Sequence, residues 1–70
     1  MNYSEFYVLL EEYIKKWPLQ RKGQVAFNLM NLLYPTIANE LRGTHLDPFY
    51  NDDKTDDFIR LCISKIREIT

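Results

Sequence analysis

Side chains able to do chemistry are few in this chain, and they are scattered. The single histidine, His45, has no cysteine at metal-ligand spacing, so it reads as a loop or capping residue rather than a ligand or general base. The single cysteine, Cys62, falls on the apolar stripe of Ile59, Ile63 and Ile66. A reactive thiolate needs a cationic, partly exposed setting, so a buried structural thiol is expected there. Asp47, Asp52, Asp53, Asp56 and Asp57 lie close together but lack the central glycine and terminal glutamate of a calcium loop. They read as an acidic turn with helix capping. No phosphate-cradling glycine loop and no nucleophile elbow occur. The residues call for no catalytic group, metal or cofactor, and the chain reads as a binding protein rather than an enzyme.

Two polar groupings remain. Arg21, Gln24, Asn28 and Asn31 recur at spacings of three, four and three, which, if the second helix begins one residue before Lys22, places them on one face opposite the apolar one. Such a face reads as solvated surface, yet asparagine competes for the helix backbone and is a poor interior residue. Two asparagines here point to specific hydrogen bonds, either internal, to the loop at 42–53, or external, to a ligand. Lys15, Lys16, Arg21 and Lys22 form a basic cluster around Trp17. It is either a solvated helix end or a seat for phosphate or an acidic surface.

The loop itself, RGTHLDPFYNDD at 42–53, is the least ordinary stretch. Gly43 lets the chain leave a helix with positive φ, and Thr44 can bond back to the freed carbonyls. Asp47 before Pro48 initiates a turn, its carboxylate accepting backbone N–H bonds. Asp47 is also a natural ion-pair partner for Arg42 or Arg21. Phe49 and Tyr50 then plug the open end of a core. The loop is thus a rigid corner, or a site at that corner built from Arg42, Thr44, Asp47 and Tyr50 with the stripe of Arg21, Gln24 and Asn28.

Helices must position these groups. Tyr3, Phe6, Tyr7, Leu10, Tyr13, Ile14 and Trp17 recur at three and four and predict a helix over residues 3–17, capped by Asn2 with Glu5 or by Ser4 and ended by Pro18. A second helix runs over about 22–34, its apolar face Ala26, Leu29, Met30 and Leu33, widened by Val25, Phe27 and Leu32. Pro35 suits the first turn of a short third helix over 36–42, with Ile37, Ala38 and Leu41 inward and Gly43 as its left-handed cap. A fourth starts near Thr55, with Asp56 and Asp57 favoured by its dipole. Its inner stripe is Ile59, Cys62, Ile63 and Ile66, extended by Phe58 and Ile69. No strand pattern, repeat or linker occurs. The expectation is one all-α domain over 1–70, a compact bundle of four helices, the third very short.

Composition agrees. At 70 residues with 46% hydrophobic and 14% aromatic content, the chain can build one small core and no more. A lone cysteine makes no internal disulfide, which fits a reducing cytoplasm. No apolar run approaches the roughly 20 residues of a membrane span. The run MNYSEFYVLLEEY has early acids and no basic lead-in, so no signal peptide is expected. A net charge of −1 argues against a broad nucleic-acid surface, while leaving room for a small basic patch.

The run R-K-G-Q-V-A-F-N-L-M, then Pro35, then L-R-G-T-H-L-D-P-F-Y-N-D, resembles a type of small accessory protein found in tailed bacteriophage genomes. The resemblance spans about 17–53, follows the pattern R-x-G-Q-x-x-F-N, proline, R-G-T-x-x-D-P-F-Y, and transfers no catalytic residues. It implies a phage gene product working in the host cytoplasm, by blocking a host protein or capturing a signalling nucleotide. The first expectation is stoichiometric binding of a host defence or gene-expression protein, with Tyr7, Tyr34 or Tyr50 as apt anchors. The alternative is a phosphorylated small ligand held by Arg21, Gln24, Asn28 and Arg42, which in so small a chain calls for a homo-oligomer with the site between subunits. A nucleic-acid-binding module using the basic cluster ranks third.

Overall fold

The computed structural model of the chain describes residues 1–69, with side chains to residue 68. It holds four α-helices and no strand among the described residues: α1 Tyr3–Lys16, α2 Lys22–Leu33, α3 Pro35–Leu41 and α4 Thr55–Ile69, with a single 3₁₀ turn at Asp52–Lys54. Local chemistry sets the starts of α1 and α3. Asn2 and Glu5 form the expected reciprocal cap on α1: the Glu5 N–H donates to the Asn2 side chain at 2.8 Å and the Asn2 N–H to the Glu5 carboxylate at 2.9 Å. Pro35 occupies the first turn of α3, one residue earlier than expected, where its missing N–H costs nothing.

The start of α2 follows another rule. Arg21 stands in the capping position and carries no side-chain acceptor. Its own N–H donates to Gln24 Oε1 at 2.9 Å. The Gly23 N–H, an orphan donor of the first turn, is taken by Asp52 Oδ1 at 3.0 Å, from a segment 29 residues away. A cap that is usually local is here supplied across the fold.

The core joins Phe6 and Leu10 of α1, Val25, Ala26, Phe27, Leu29 and Met30 of α2, Ile37, Ala38 and Leu41 of α3, and Phe58, Ile59, Cys62, Ile63 and Ile66 of α4. These are the expected stripes, with one correction. Leu32 and Leu33 are 61% and 38% exposed rather than buried. At roughly 100° per residue both fall on or beside the buried arc of α2. Both lie in its last turn, past the buried Met30, where Tyr34 and Pro35 end α2 and start α3. The expected place of Ile69 on the α4 stripe lies outside the described side chains.

Gly43 adopts φ 76°, the expected left-handed exit from α3. Nothing lies within 4 Å of a Cβ built there, so a substitution meets backbone strain and no clash. Gly43→Val should therefore lose more than the roughly 1 kcal/mol of an ordinary lost glycine cap, since a β-branched residue resists positive φ. Urea denaturation checks this, and a variant as stable as the parent would contradict it.

Candidate functional site

The corner at 42–53 is tied at nearly every step. The Thr44 N–H and hydroxyl both donate to the Leu41 carbonyl, at 3.1 and 2.7 Å. The two carboxylate oxygens of Asp47 accept from the Gly43 and Phe49 N–H groups at 2.7 and 2.9 Å. The Asp47 and Asn51 N–H groups close successive turns on the Thr44 and Pro48 carbonyls. Buried Thr55 donates to the Asp52 carbonyl at 2.7 Å and joins the corner to α4.

The start of α2 holds the same corner from the other side. The Arg21 guanidinium donates to the Phe49 carbonyl at 2.6 Å and pairs with Asp52 at 3.6 Å. Pro48 is buried and its carbonyl lies directly against Gly23, where a Cβ would run into it. The ion pair expected between Asp47 and Arg42 or Arg21 is thus replaced. Asp47 serves backbone donors, Arg21 takes Asp52, and Arg42 donates to Asn39 Oδ1 at 3.2 and 3.3 Å. The reason is geometric: the Asp–Pro turn folds the Asp47 carboxylate back over its own loop.

Only half of the expected aromatic plug is inside. Phe49 packs edge-on to Phe27 at 6.1 Å, and Phe27 in turn stacks on Phe58 at 5.7 Å. Tyr50, the next residue, is 85% exposed and meets Phe49 at a steep angle, 4.9 Å between centroids. The Asn51–Pro48 turn holds it outward. Beside it, the Arg42 guanidinium lies 4.9 Å over the Phe27 ring. Phe27, Arg42, Gly43, Asp47, Phe49 and Tyr50 line one depression of about 310 Å³.

The structure therefore brings together Arg42, Asp47 and Tyr50 of the candidate residues. Thr44 shapes the corner without lining the depression. Arg21 and Gln24 hold the corner and the helix start, and Asn28 donates to Gln20 Oε1 at 3.0 Å. The hydrogen bonds of these three stripe residues are internal. Phe27 and Gly23 were not singled out by their types. The signal for Gly23 was there, a glycine in a helix's first turn beside a capping residue with nothing to cap with.

The chain matches no family model, no curated protein and no solved structure. Function is therefore argued from the site's own chemistry.

Other candidates are accounted for. Among the described residues no group of histidine, cysteine and acids is placed to hold a metal. No helix among them is long and apolar enough to cross a membrane. Three members of the basic cluster are engaged within the chain: Lys16 lies 4.9 Å over Tyr13, Lys22 lies 5.0 Å over Tyr7, and Arg21 serves the corner. His45 is exposed on the loop. Cys62 is fully buried, and desolvation pushes its thiol up to about 12, with Lys65 opposing and Glu40 adding.

The Cys62 thiol has two measurable consequences. At pH 8 a thiol-specific reagent should leave it untouched in the native protein and label it fully in denaturant; rapid native labelling would contradict its burial. The unfolded chain releases the thiol proton from about pH 9.0, while the folded chain keeps it to about 12. Stability from this group is therefore complete below pH 9.0 and declines as pH rises toward 12. Cys62→Ala should show a shallower alkaline loss than the parent in denaturation midpoints.

Proposed function

We propose that this chain is a small phage accessory protein that acts stoichiometrically, binding a host protein through the corner at residues 42–50. The observation that carries the reading is Tyr50, an aromatic 85% exposed on a backbone that its own hydrogen bonds hold fixed. Fixed loops bind without the ordering cost of mobile ones. Tyrosine and arginine are the commonest anchors of protein interfaces, and Tyr50 stands with Arg42 at one depression able to receive a partner side chain. The resemblance to phage accessory proteins supplies the host setting. The two charges at the depression, Arg42 and Asp47, favour a partner offering mixed polar groups over one of a single sign.

The phosphorylated-ligand alternative at this place has less support. Gln24 and Asn28 bond within the chain, and Arg42 is the single cation among the residues lining the depression, balanced there by Asp47. With the captured host protein purified, titration calorimetry should show Tyr50→Ala weakening binding by about thirtyfold or more, the mark of a hot spot of about 2 kcal/mol. Thermal stability should stay close to the parent's, since exposed substitutions change it by only about 0.5 kcal/mol. Unchanged affinity in both Tyr50→Ala and Arg42→Ala would remove the corner from the interface.

A further inference from the structure

A second face of the molecule has the composition of a ligand site. On α4, Arg60, Ser64 and Arg67 follow at spacings of four and three and form one stripe. The stripe borders an open depression of about 490 Å³, completed by Tyr3, Ile63 and Glu68. It lies between the start of α1 and the outer side of α4, and shares no lining residue with the corner.

Three other cations in the fold have internal acceptors: Arg21 with Asp52, Arg42 with Asn39, Lys65 with Glu40. Arg60 and Arg67 form no ion pair among the described residues. Arg60 lies with its guanidinium carbon 4.6 Å over the Tyr3 ring, a contact that orients the group and leaves its N–H donors unused. The acid one turn before it, Asp56, accepts instead from the Tyr3 and Tyr7 hydroxyls at 3.0 and 3.4 Å. Burial first, then the hydrogen bond and charge of Asp56, raise the Tyr3 hydroxyl above its ordinary pKa, so this ring stays neutral and brings no negative charge to the depression.

Two guanidiniums outside any ion pair flank a serine hydroxyl, beside the part of the Tyr3 ring that Arg60 and Tyr7 leave open and the small exposed part of Ile63. Guanidinium forks and a hydroxyl hold phosphate oxygens; a ring and an aliphatic side chain hold a flat organic body. Glu68 also lines the depression, so two cations meet one acid there, and this acid, with Asp56 and Asp57 one turn before Arg60, limits the length of the anion. An extended polyanion such as a nucleic acid would run onto these acids, whereas a single phosphate or diphosphate would not.

We infer that the Arg60–Ser64–Arg67 face binds a small phosphorylated organic ligand of the nucleoside mono- and diphosphate class. The phosphate lies between the two guanidiniums and the Ser64 hydroxyl, with the body against Tyr3 and Ile63. This site is independent of the protein-binding corner, and either can fail without the other.

The test is a ¹H–¹⁵N NMR titration of the full chain with ADP, and in parallel with adenosine, pyrophosphate and vesicles rich in phosphatidic acid. ADP is expected to shift the amides of Ile63 and Ser64 and the Nε–H signals of Arg60 and Arg67. Pyrophosphate should do so more weakly and adenosine hardly at all. Arg60→Gln and Arg67→Gln should each weaken ADP binding by about tenfold, the loss of one charged hydrogen-bonding partner. Both residues are on the surface, and unchanged spectra elsewhere confirm the fold. Four results would overturn the inference: no shifts with millimolar ADP, shifts confined to the corner, ADP binding that survives the double substitution, or response to the vesicles with none to ADP.

Discussion

Replacing Gly23 by alanine is expected to destabilise the protein by about 2–4 kcal/mol. Helix propensity alone predicts the opposite, because alanine in a helix is favoured over glycine by about 1 kcal/mol. The fold overrides it. The new Cβ would meet the Pro48 carbonyl oxygen, a backbone atom that cannot swing aside, and would lie 2.9 Å from Asp52 Oδ1. Relief requires the corner to move off α2, which stretches the Gly23–Asp52 bond and the Arg21–Phe49 bond together. Overpacking of this kind costs about 1–3 kcal/mol, and a weakened charged hydrogen bond adds about 1.5–3. A 70-residue domain has roughly 4–10 kcal/mol in total. The melting temperature should fall by roughly 10–25 °C. An alanine variant that melts above the parent would mean that Pro48 does not sit on the start of α2.

Phe27→Ala should cost about 3–5 kcal/mol, the range for a phenylalanine removed from a core. Phe27 is 2% exposed and has three ring partners: Phe58 behind it, Phe49 at its edge, Arg42 over its face. It is the floor on which the corner rests. Removing it opens a cavity between core and corner, and both the α2–α4 packing and the pose of Arg42 lose their support. Denaturant titration checks the magnitude. Phe27→Leu separates the two roles: it keeps bulk in the core, so it should cost much less stability, yet it removes the face that Arg42 lies on. Partner binding should therefore fall in Phe27→Leu further than stability does. A stability loss below about 1 kcal/mol in Phe27→Ala would contradict the packing described here.

The helices and the backbone of the corner were legible in the sequence because their causes are local. Apolar spacing marks the stripes, Asn2 and Glu5 a reciprocal cap, Pro35 a helix start, Gly43 a left-handed exit. Asp47 before Pro48 signals its turn within three residues. What holds the corner to the rest of the molecule was not legible. The Arg21–Phe49 and Gly23–Asp52 bonds join positions 28 and 29 residues apart, and no local pattern encodes such pairings. Tyr50 shows the same limit. Its type suggested a plug, and its exposure follows from which way the turn after Pro48 faces. Leu32 and Leu33 have the angular position of core residues but stand in the last turn of α2, beyond the buried Met30. Arg60 and Arg67 resemble any charged residues on a helix surface until Tyr3 arrives from α1, lying under the Arg60 guanidinium and engaging Asp56 through its hydroxyl.

The proposed function requires that the corner bind a protein. The direct measurement is quantitative mass spectrometry of proteins captured from host-cell lysate, comparing the tagged parent with Tyr50→Ala and with Tyr50→Ala/Arg42→Ala. The prediction is one host protein recovered in stoichiometric amount by the parent, sharply reduced by the single variant and absent with the double variant, all three folded by circular dichroism. No stoichiometric partner for the parent, or equal recovery by all three chains, would contradict it.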